Sequence, residues 1–233
     1  MTLVKVGRFR EKSSSGCIDT IYAFSEMQGT GGAVLNSGKT LRVEKLTKIN
    51  NRILLVSSGT RTYRHKFHQF LKESSKDMDV FCKERPDKSY FEDIHVSKLD
   101  RFIYLTIVIN GSIDITKYTE NGVSDVSEEP QITLGFEPNS GYDFSKSSLQ
   151  RPRTRSQIMR LGYKRVKKAI INCGGCGYGI EGYRLSNRKI TELRFSKMMK
   201  KDKFNVRDHT VQRDFWGKAK YLSGERCPQF DFR

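Results

Sequence analysis

The feature that most constrains the fold is a pair of strand-forming segments, FIYLTIVI and SIDITKY, joined by Asn110-Gly111. β-Branched and aromatic residues favour strands, and Asn-Gly readily adopts the positive φ angles of a type I′ turn. We therefore predict an antiparallel hairpin from Arg101 to Tyr118. Alanine, the best intrinsic helix former, occurs only four times in 233 residues, so the rest of the chain also favours strands.

Shorter segments with alternating apolar and polar residues predict further strands before residue 140. Residues 41–44 alternate in this way and residues 53–56 follow Asn50-Asn51, which indicates a second hairpin. Residues 17–24 and 132–136 add two more strands. A helix interrupts them, because four apolar residues share one helical face: Tyr63, Phe67, Phe70 and Leu71. The predicted fold is a β-rich α+β protein, with an antiparallel sandwich or barrel body, a few helices and a basic C-terminal module.

Positive charge is concentrated in the last third of the chain. Residues 1–150 carry 21 Lys and Arg against 19 Asp and Glu, whereas residues 151–233 carry 22 against 7. Because so many like charges repel one another, we expect a polyanionic partner, with nucleic acid first and an anionic membrane surface second. Turn-forming residues 138–152 mark the change in composition. We therefore predict a β-rich body over residues 1–148 and a basic nucleic-acid-binding module over residues 149–233, either separate or packed on the body as one domain.

The segment TRSQIMRLGYKRVKKAII predicts a cationic amphipathic helix over residues 154–171. Its apolar stripe comprises Met159, Tyr163, Val166 and Ile170. The opposite stripe is basic, and no acidic residue occurs between Lys146 and Glu181 to neutralise it. A solvated surface helix is the alternative interpretation. The cations that we expect to contact phosphates are Arg151, Arg153, Arg155, Arg160, Lys164, Arg165, Lys167, Lys168, Lys197, Lys200, Lys201 and Lys203.

The cysteine pair in CGGCGYG has the spacing of half a zinc site, with Cys173 and Cys176 as the two candidate ligands. A second close pair of ligands is missing from the sequence, since only His209 and Cys227 follow. We therefore predict a glycine-rich loop after the cationic helix, with no metal and no cofactor. Zinc binding by the two cysteines is the alternative.

Signatures of catalysis are incomplete in this sequence. The segment GGAVLNSGKT, residues 31–40, is similar to a phosphate-binding loop, but Ala33 replaces the required first glycine and a strand pattern follows where a helix should. The G-x-S-x-G sequence of hydrolase nucleophiles does not occur. We therefore expect a non-enzymatic protein. The alternative is a metal-dependent enzyme acting on nucleic acid, with residues gathered from distant segments.

Residues 28–46, QGTGGAVLNSGKTLRVEKL, resemble the early-strand region of small jelly-roll capsid proteins of circular single-stranded DNA viruses. In that family a Gly-Thr-Gly turn precedes a charged strand. The family's arginine-rich N-terminal arm has no counterpart here, because the cations lie toward the other end. We therefore assign no family. The resemblance implies that a viral structural or movement protein belongs among the candidate polyanion binders.

The expected function is to package, coat or transport DNA or RNA with little sequence preference. A peripheral membrane or matrix-type assembly protein on anionic lipid is the alternative, and a homo-oligomer is compatible with both. The sequence contains no apolar segment of signal-peptide length or of the roughly 20 residues that span a membrane. Since the cysteines are five, an odd number, we expect reduced thiols and an intracellular protein, cytoplasmic or nuclear.

Overall fold

The computed structural model describes residues 3–29, 41–42, 44–59, 61–78, 81, 102–119, 121–135, 143–172, 179–201, 204–205 and 210–211. The chain divides into two units. Unit 1 comprises Met1–Lys45, Pro130–Arg184 and Glu192–Arg233, and unit 2 comprises Leu46–Glu129 and Leu185–Thr191.

The secondary structure is dominated by strands. In chain order they are β1 (Leu3–Ser13), β2 (Gly16–Glu26), β3 (Gln28–Gly29), β4 (Leu41–Arg42), β5 (Leu46–Lys48), β6 (Ile53–Gly59), β7 (Phe102–Asn110), β8 (Ser112–Thr119), β9 (Gly122–Asp125), β10 (Gln131–Gly135), β11 (Ile180–Ser186), β12 (Lys189–Glu192), β13 (Phe204–Asn205) and β14 (Thr210–Val211). The helices are α1 (Arg61–Ser74), α2 (Lys146–Gln150), α3 (Arg155–Asn172) and α4 (Ser196–Lys201). The predicted β-rich character with few helices is confirmed.

One five-stranded sheet has the strand order β10-β1-β2-β11-β12. At its centre β1 pairs antiparallel with β2 over their whole length, and with β10 on its other edge. Central strands bury both faces, which is why consecutive residues such as Leu3 and Val4 are both buried. Two minor sheets, β3 with β4 and β13 with β14, have two strands each.

Helix α3, which occupies the segment predicted to be a cationic amphipathic helix, packs on this sheet. A reciprocal capping box begins it: the Thr154 N–H donates to Gln157 Oε1, and the Gln157 N–H donates to Thr154 Oγ1. Of the predicted apolar stripe, Tyr163, Val166 and Ile170 are buried and Met159 is half-buried. The core beneath the helix contains Leu3, Phe9, Tyr22, Phe24, Phe144, Leu149, Ile158, Tyr163, Val166, Ala169, Ile170, Ile180, Leu193, Phe195 and Met199.

Unit 2 contains a second antiparallel sheet with the strand order β5-β6-β7-β8-β9. The predicted hairpin is confirmed as β7 and β8, but Asn110 pairs with Ser112, so Gly111 alone lies between the strands, instead of the two residues of a type I′ turn. Gly111 has a φ of 73° in this connection. Helix α1 follows β6, as its apolar face predicts. Its buried residues join the second core, which comprises Ile53, Leu55, Phe67, Leu71, Phe81, Tyr104, Val108 and Tyr118.

The second predicted hairpin has a different partner strand. Strand β6 pairs with β5, whereas Leu41–Arg42 pairs with Gln28–Gly29. The tight connection explains the difference, because Asn50 Oδ1 accepts hydrogen bonds from the N–H groups of Arg52 and Ile53. Such a tight turn reverses the chain direction within a few residues. Strand β6 therefore pairs with β5, which directly precedes the turn.

Residues 138–152 were expected to form a turn-rich connection between the body and the basic module. In their described part, residues 143–152, Ser145 caps α2, and Phe144 and Leu149 belong to the first core. That residues 149–233 act as a nucleic-acid-binding module stays a prediction. Within the ranges that the structure describes, the helices lack the combination of length and apolar character needed to cross a membrane.

Candidate active site

A buried ion pair lies at the beginning of β1. The Lys45 ammonium bonds to Glu26 Oε1, with the lysine side chain 4% and the glutamate side chain 0% exposed. The N–H of Leu3 donates to the same carboxylate oxygen at 3.1 Å. Glu26 is the last residue of β2, and Leu3 is the first residue of β1. One carboxylate therefore connects a lysine ammonium to the backbone directly after Thr2.

The beginning of β1 is held by a further hydrogen bond from β2. The Ser25 hydroxyl is within hydrogen-bond distance of two carbonyl oxygens, Glu26 at 2.7 Å and Leu3 at 3.2 Å, and Ser25 lies opposite Val4 in the sheet. Leu3 is thus bonded through both its N–H and its carbonyl to side chains of adjacent residues on β2. These bonds give the chain a defined path immediately after Thr2.

Lys45 is also held through its backbone. It lies at a bend between β4 and β5, outside both strands, and its N–H donates to Glu181 Oε1 at 2.6 Å. Glu181 is half-buried on β11, the neighbour of β2 in the sheet. Carboxylates from two adjacent strands therefore bond to the same lysine, one to its ammonium and one to its amide.

Burying a lysine and a glutamate is energetically costly, because each ion loses several kcal/mol of hydration that the pairing only partly returns. Lys and Glu are accordingly among the residues least often fully buried. Charged groups are kept in such positions where they have a chemical task or fix one geometry. An ammonium beside the start of a strand can stabilise negative charge that develops on an adjacent oxygen.

Two other buried charge clusters belong to the same unit. In the first, the Lys5 ammonium, 1% exposed, bonds to Asp143 Oδ1 and to Thr133 Oγ1, and Thr133 also donates to Asp143 at 3.1 Å. These bonds join β1 and β10 to the residue preceding Phe144. The cluster therefore has a structural role that sequence patterns on β1 alone do not reveal.

The second cluster joins Glu11, Tyr22 and Arg184. Arg184 makes a bidentate contact with Glu11, at 2.7 and 3.1 Å, and the Tyr22 hydroxyl donates to Glu11 Oε2 at 2.6 Å. Burial raises the pKa of the Glu11 carboxyl, but the hydrogen bonds from Arg184 and Tyr22 outweigh it, so this pKa lies below its usual value. Burial, and then the bond to Glu11, raises the pKa of Tyr22. Both oxygens of the Glu11 carboxylate and the Tyr22 hydroxyl are therefore engaged within this cluster.

The predicted phosphate-contacting residues are distributed over several elements. On α3, Arg155, Arg160, Lys164 and Lys168 are exposed, and Arg165 and Lys167 are half-buried. Arg160, Lys164 and Lys168 recur at intervals of four residues and so share one outer face of the helix. We call these three residues the basic face of α3.

The remaining predicted cations lie apart from the basic face. Arg151 is exposed. Arg153 is half-buried, donates from Nε to the Ser148 carbonyl and pairs through its backbone with β1. Lys197 is exposed on α4, and Lys200 and Lys201 continue that helix. Lys203 and the zinc candidates Cys173 and Cys176 lie outside the described residues. In the part of the chain that is described, no group of three His, Cys, Asp or Glu residues is arranged to hold a metal ion.

Sequence reasoning missed the pair of Glu26 and Lys45. Lys45 is one of 43 basic residues, and nothing in its immediate sequence distinguishes it from a surface lysine. The available signal was a glutamate close after an apolar segment, since Glu26 follows Tyr22, Ala23 and Phe24 by two residues or more. The sequence around Glu26 does not show that its carboxylate accepts a hydrogen bond from Leu3, the first residue of β1.

Comparisons with known proteins identify a fold. Neither a protein-family model nor a curated protein sequence matches the chain. Among solved structures, the chain is similar to the Anbu (Gly-1) mutant from Hyphomicrobium sp. strain MC1, with a TM-score of 0.59 and 12% identity. The match covers 83% of this chain and 86% of that one. At this identity the likeness shows a shared fold alone.

Proposed function

We propose that this protein is an amide hydrolase whose nucleophile is the hydroxyl of Thr2, made N-terminal by hydrolysis of the Met1–Thr2 bond. The observation that carries the proposal is the buried Lys45–Glu26 pair bonded to Leu3, directly after Thr2. The likeness in fold to the Anbu mutant, a proteasome-like protein with an N-terminal-nucleophile fold, supports it. The sequence alone predicts a non-enzymatic protein, and the buried pair is the reason for proposing an enzyme instead.

The reaction uses the two functional groups of an N-terminal threonine. The α-amine accepts the hydroxyl proton while the hydroxyl oxygen attacks the amide carbonyl carbon. The C–N bond then breaks, the leaving amine takes up the proton, and the acyl group remains as an ester on Thr2. Water hydrolyses that ester, which releases the acid and restores the hydroxyl. An additional oxidant, reductant or group donor is not required.

Lys45 and Glu26 have distinct tasks in this proposal. The Lys45 ammonium provides positive charge that favours the ionised threonine oxygen and the negative intermediate. Glu26 compensates the buried ammonium and holds the Leu3 N–H, so that Thr2 is attached to a fixed strand. Removing either partner breaks the buried pair, at a cost of about 3–5 kcal/mol. Tests of the nucleophile are therefore better made at Thr2 itself.

A covalent probe tests the proposal without knowledge of the natural substrate. The chain is expressed without an N-terminal tag and treated with a panel of tripeptide epoxyketones that differ in their side chains. The ketone and the epoxide of this group react with the hydroxyl and the amine of one N-terminal threonine. We expect intact-mass spectra to show loss of Met1 and addition of one whole inhibitor, which peptide mapping assigns to Thr2.

Two controls define the result. Thr2→Ala removes the hydroxyl and is expected to abolish labelling, whereas Thr2→Ser retains a hydroxyl and is expected to label more slowly. A chain with an N-terminal tag has a blocked amine and cannot complete the ring adduct. Labelling of Thr2→Ala at the wild-type rate, or a wild-type chain that stays unlabelled by every member of the panel, would overturn the proposal.

A second candidate function is nucleic-acid binding through the basic face of α3. The exposed Arg160, Lys164 and Lys168 support it, because they lie on one side of a helix whose other side is buried. The sequence between Lys146 and Glu181 contains no acidic residue. Cations arranged in this way neutralise phosphates with little base preference, as the sequence analysis expected.

Salt dependence tests the second candidate. We expect labelled single-stranded DNA or RNA to bind with an affinity that falls steeply with salt. Changing Arg160, Lys164 and Lys168 together to Gln is expected to reduce the slope of log affinity against log salt by about two units, since each phosphate contact contributes about 0.7. The matched control changes Lys12, Lys72 and Lys76, which are exposed elsewhere. Equal slopes for both variants, or binding only to anionic liposomes, would exclude nucleic-acid binding by this face.

A further inference from the structure

Glu181 makes an uncommon contact with the backbone of the candidate active site. The Lys45 residue lies at a bend, so its N–H is outside the hydrogen-bond ladder of the strands on either side. The carboxylate of Glu181 accepts that N–H at 2.6 Å. An ionised acceptor makes a hydrogen bond roughly twice as strong as a neutral one. The Glu181 side chain therefore accepts the Lys45 N–H, a task that the carbonyl of a neighbouring strand has elsewhere in a sheet.

The strand that carries Glu181 also limits where Lys45 can lie. Strand β11, which carries Glu181, lies next to β2, which ends with Glu26. The sheet therefore fixes the separation of the two carboxylates, and each of them bonds to a different end of Lys45. A long, flexible side chain held at its backbone and at its ammonium retains few alternative rotamers.

We propose that Glu181 is a positioning residue that fixes Lys45 for the reaction of Thr2. This inference rests on the proposed hydrolase function. Without the Glu181 carboxylate, the Lys45 amide turns to water and the bend relaxes, while the ammonium stays paired with Glu26 because both are buried. The charge remains in the site but loses its fixed position. Misplacement of a reacting group by about 1 Å lowers rates by about 100-fold.

The test separates inhibitor binding from the chemical step. With the epoxyketone that labels the wild-type chain fastest, we expect Glu181→Ala to lower the maximal inactivation rate by about 10- to 100-fold and to leave the inhibitor concentration at half-maximal rate unchanged. Glu181→Gln retains a carbonyl acceptor and is expected to lose less than about tenfold. In hydrogen-exchange measurements, the Lys45 amide of Glu181→Ala is expected to exchange faster than in the wild-type chain.

Glu192 provides a matched control. Burial raises the pKa of Tyr183 to about 12, with further contributions from the carboxylates of Glu192, Glu181 and Glu44, so Glu181 and Glu192 both lie near this tyrosine. Glu192 is exposed. Glu192→Ala therefore removes a neighbouring negative charge of the same unit, and we expect wild-type inactivation rates.

The possible outcomes distinguish the two proposals. If the wild-type chain is labelled and Glu181→Ala is labelled at the same rate, Glu181 has no positioning role while the hydrolase proposal stands. Equal losses in Glu181→Ala and Glu192→Ala indicate a general charge effect and also overturn the positioning role. A wild-type chain that no epoxyketone labels overturns the hydrolase proposal, and the role of Glu181 in that reaction with it.

Discussion

Gly162 shows how a single missing side chain decides the packing of α3. A Cβ atom at this position would lie 2.3 Å from Cζ and 2.4 Å from Cε1 of the Phe24 ring. In a helix, Ala is preferred over Gly by about 1 kcal/mol, so helix propensity alone would favour the substitution. The steric overlap opposes it, because the ring belongs to the buried core and has no free space to enter.

We therefore expect Gly162→Ala to destabilise the protein by about 1–3 kcal/mol, as overpacking of a core does. Urea unfolding measures the change in the free energy of unfolding. Lys164→Ala, an exposed change on the same helix, is the control and should stay within about 0.5 kcal/mol of the wild type. Phe24→Leu in the Gly162→Ala background should restore part of the loss, since the two residues are in contact. An increase in stability for Gly162→Ala alone would contradict the packing described.

The cluster of Glu11, Tyr22 and Arg184 predicts how stability depends on pH. The pKa of Glu11 in the folded chain lies below its ordinary value of 4.5. Its contribution to stability is therefore fully present above the unfolded pKa and is lost as the pH falls through the lower, folded pKa. Glu11→Gln should abolish this part of the acid sensitivity below about pH 4.5, and should cost about 1–3 kcal/mol near neutral pH through the weakened bonds to Arg184. Parallel curves of unfolding free energy against pH for both chains would contradict this.

At the scale of elements, the tight connection between β7 and β8 depends on a positive φ. Gly111 has a φ of 73°, and a Cβ added there would meet nothing within 4 Å. Substitutions at Gly111 therefore measure backbone strain without steric contacts. Ala is strained in this conformation by about 1–2 kcal/mol, whereas Asn tolerates it better.

We expect the melting temperature to decrease in the order wild type, Gly111→Asn, Gly111→Ala. A thermal melt followed by circular dichroism is sufficient to establish the order. Ser124→Ala, exposed on β9 of the same sheet, is the control and should melt near the wild-type temperature. If Ala and Asn at position 111 were equally tolerated, the left-handed conformation of this connection would be wrong.

The elements that the sequence predicts well are those whose pattern is strong and local. The β7–β8 hairpin and α3 are of this kind, because their apolar residues repeat over many positions. Strand β1 was not predicted, since Lys5 and Glu11 interrupt its apolar residues and each is compensated far along the chain. Asp143, the partner of Lys5, is 138 residues away, and Arg184, the partner of Glu11, is 173 away. No local pattern can show that such charges are buried.

The candidate active site was hidden for the same reason. Glu26 and Lys45 are 19 residues apart, and Glu181 follows 136 residues after Lys45. Each has an ordinary sequence neighbourhood. Only the pairing of β1 with β2, and the position of β11 beside β2, bring them to one place. By contrast, the basic face of α3 was visible in the sequence, because cations four residues apart necessarily share a helical face.

At the scale of the whole molecule, unit 1 combines segments from both ends of the chain. Residues 1–45 supply β1 and β2, and residues 130–184 supply α3, which packs on them. The change of composition near residue 150 therefore does not follow the division into units. Each unit buries its own aromatic cluster, with Phe9 in the first and Phe67 in the second.

Separate cores predict separate local stabilities. Phe9→Leu and Phe67→Leu each remove part of one aromatic cluster, at a cost of about 1 kcal/mol, which corresponds to roughly fivefold faster exchange of the amides that open with that core. We expect Phe67→Leu to accelerate exchange in β6, β7 and β8, and Phe9→Leu to accelerate it in β1 and β2. Native-state hydrogen exchange followed by mass spectrometry resolves these segments. If both variants accelerate exchange equally throughout the chain, the two cores open as a single cooperative unit, and the local effects of Gly162 and Gly111 substitutions should then extend over the whole molecule as well.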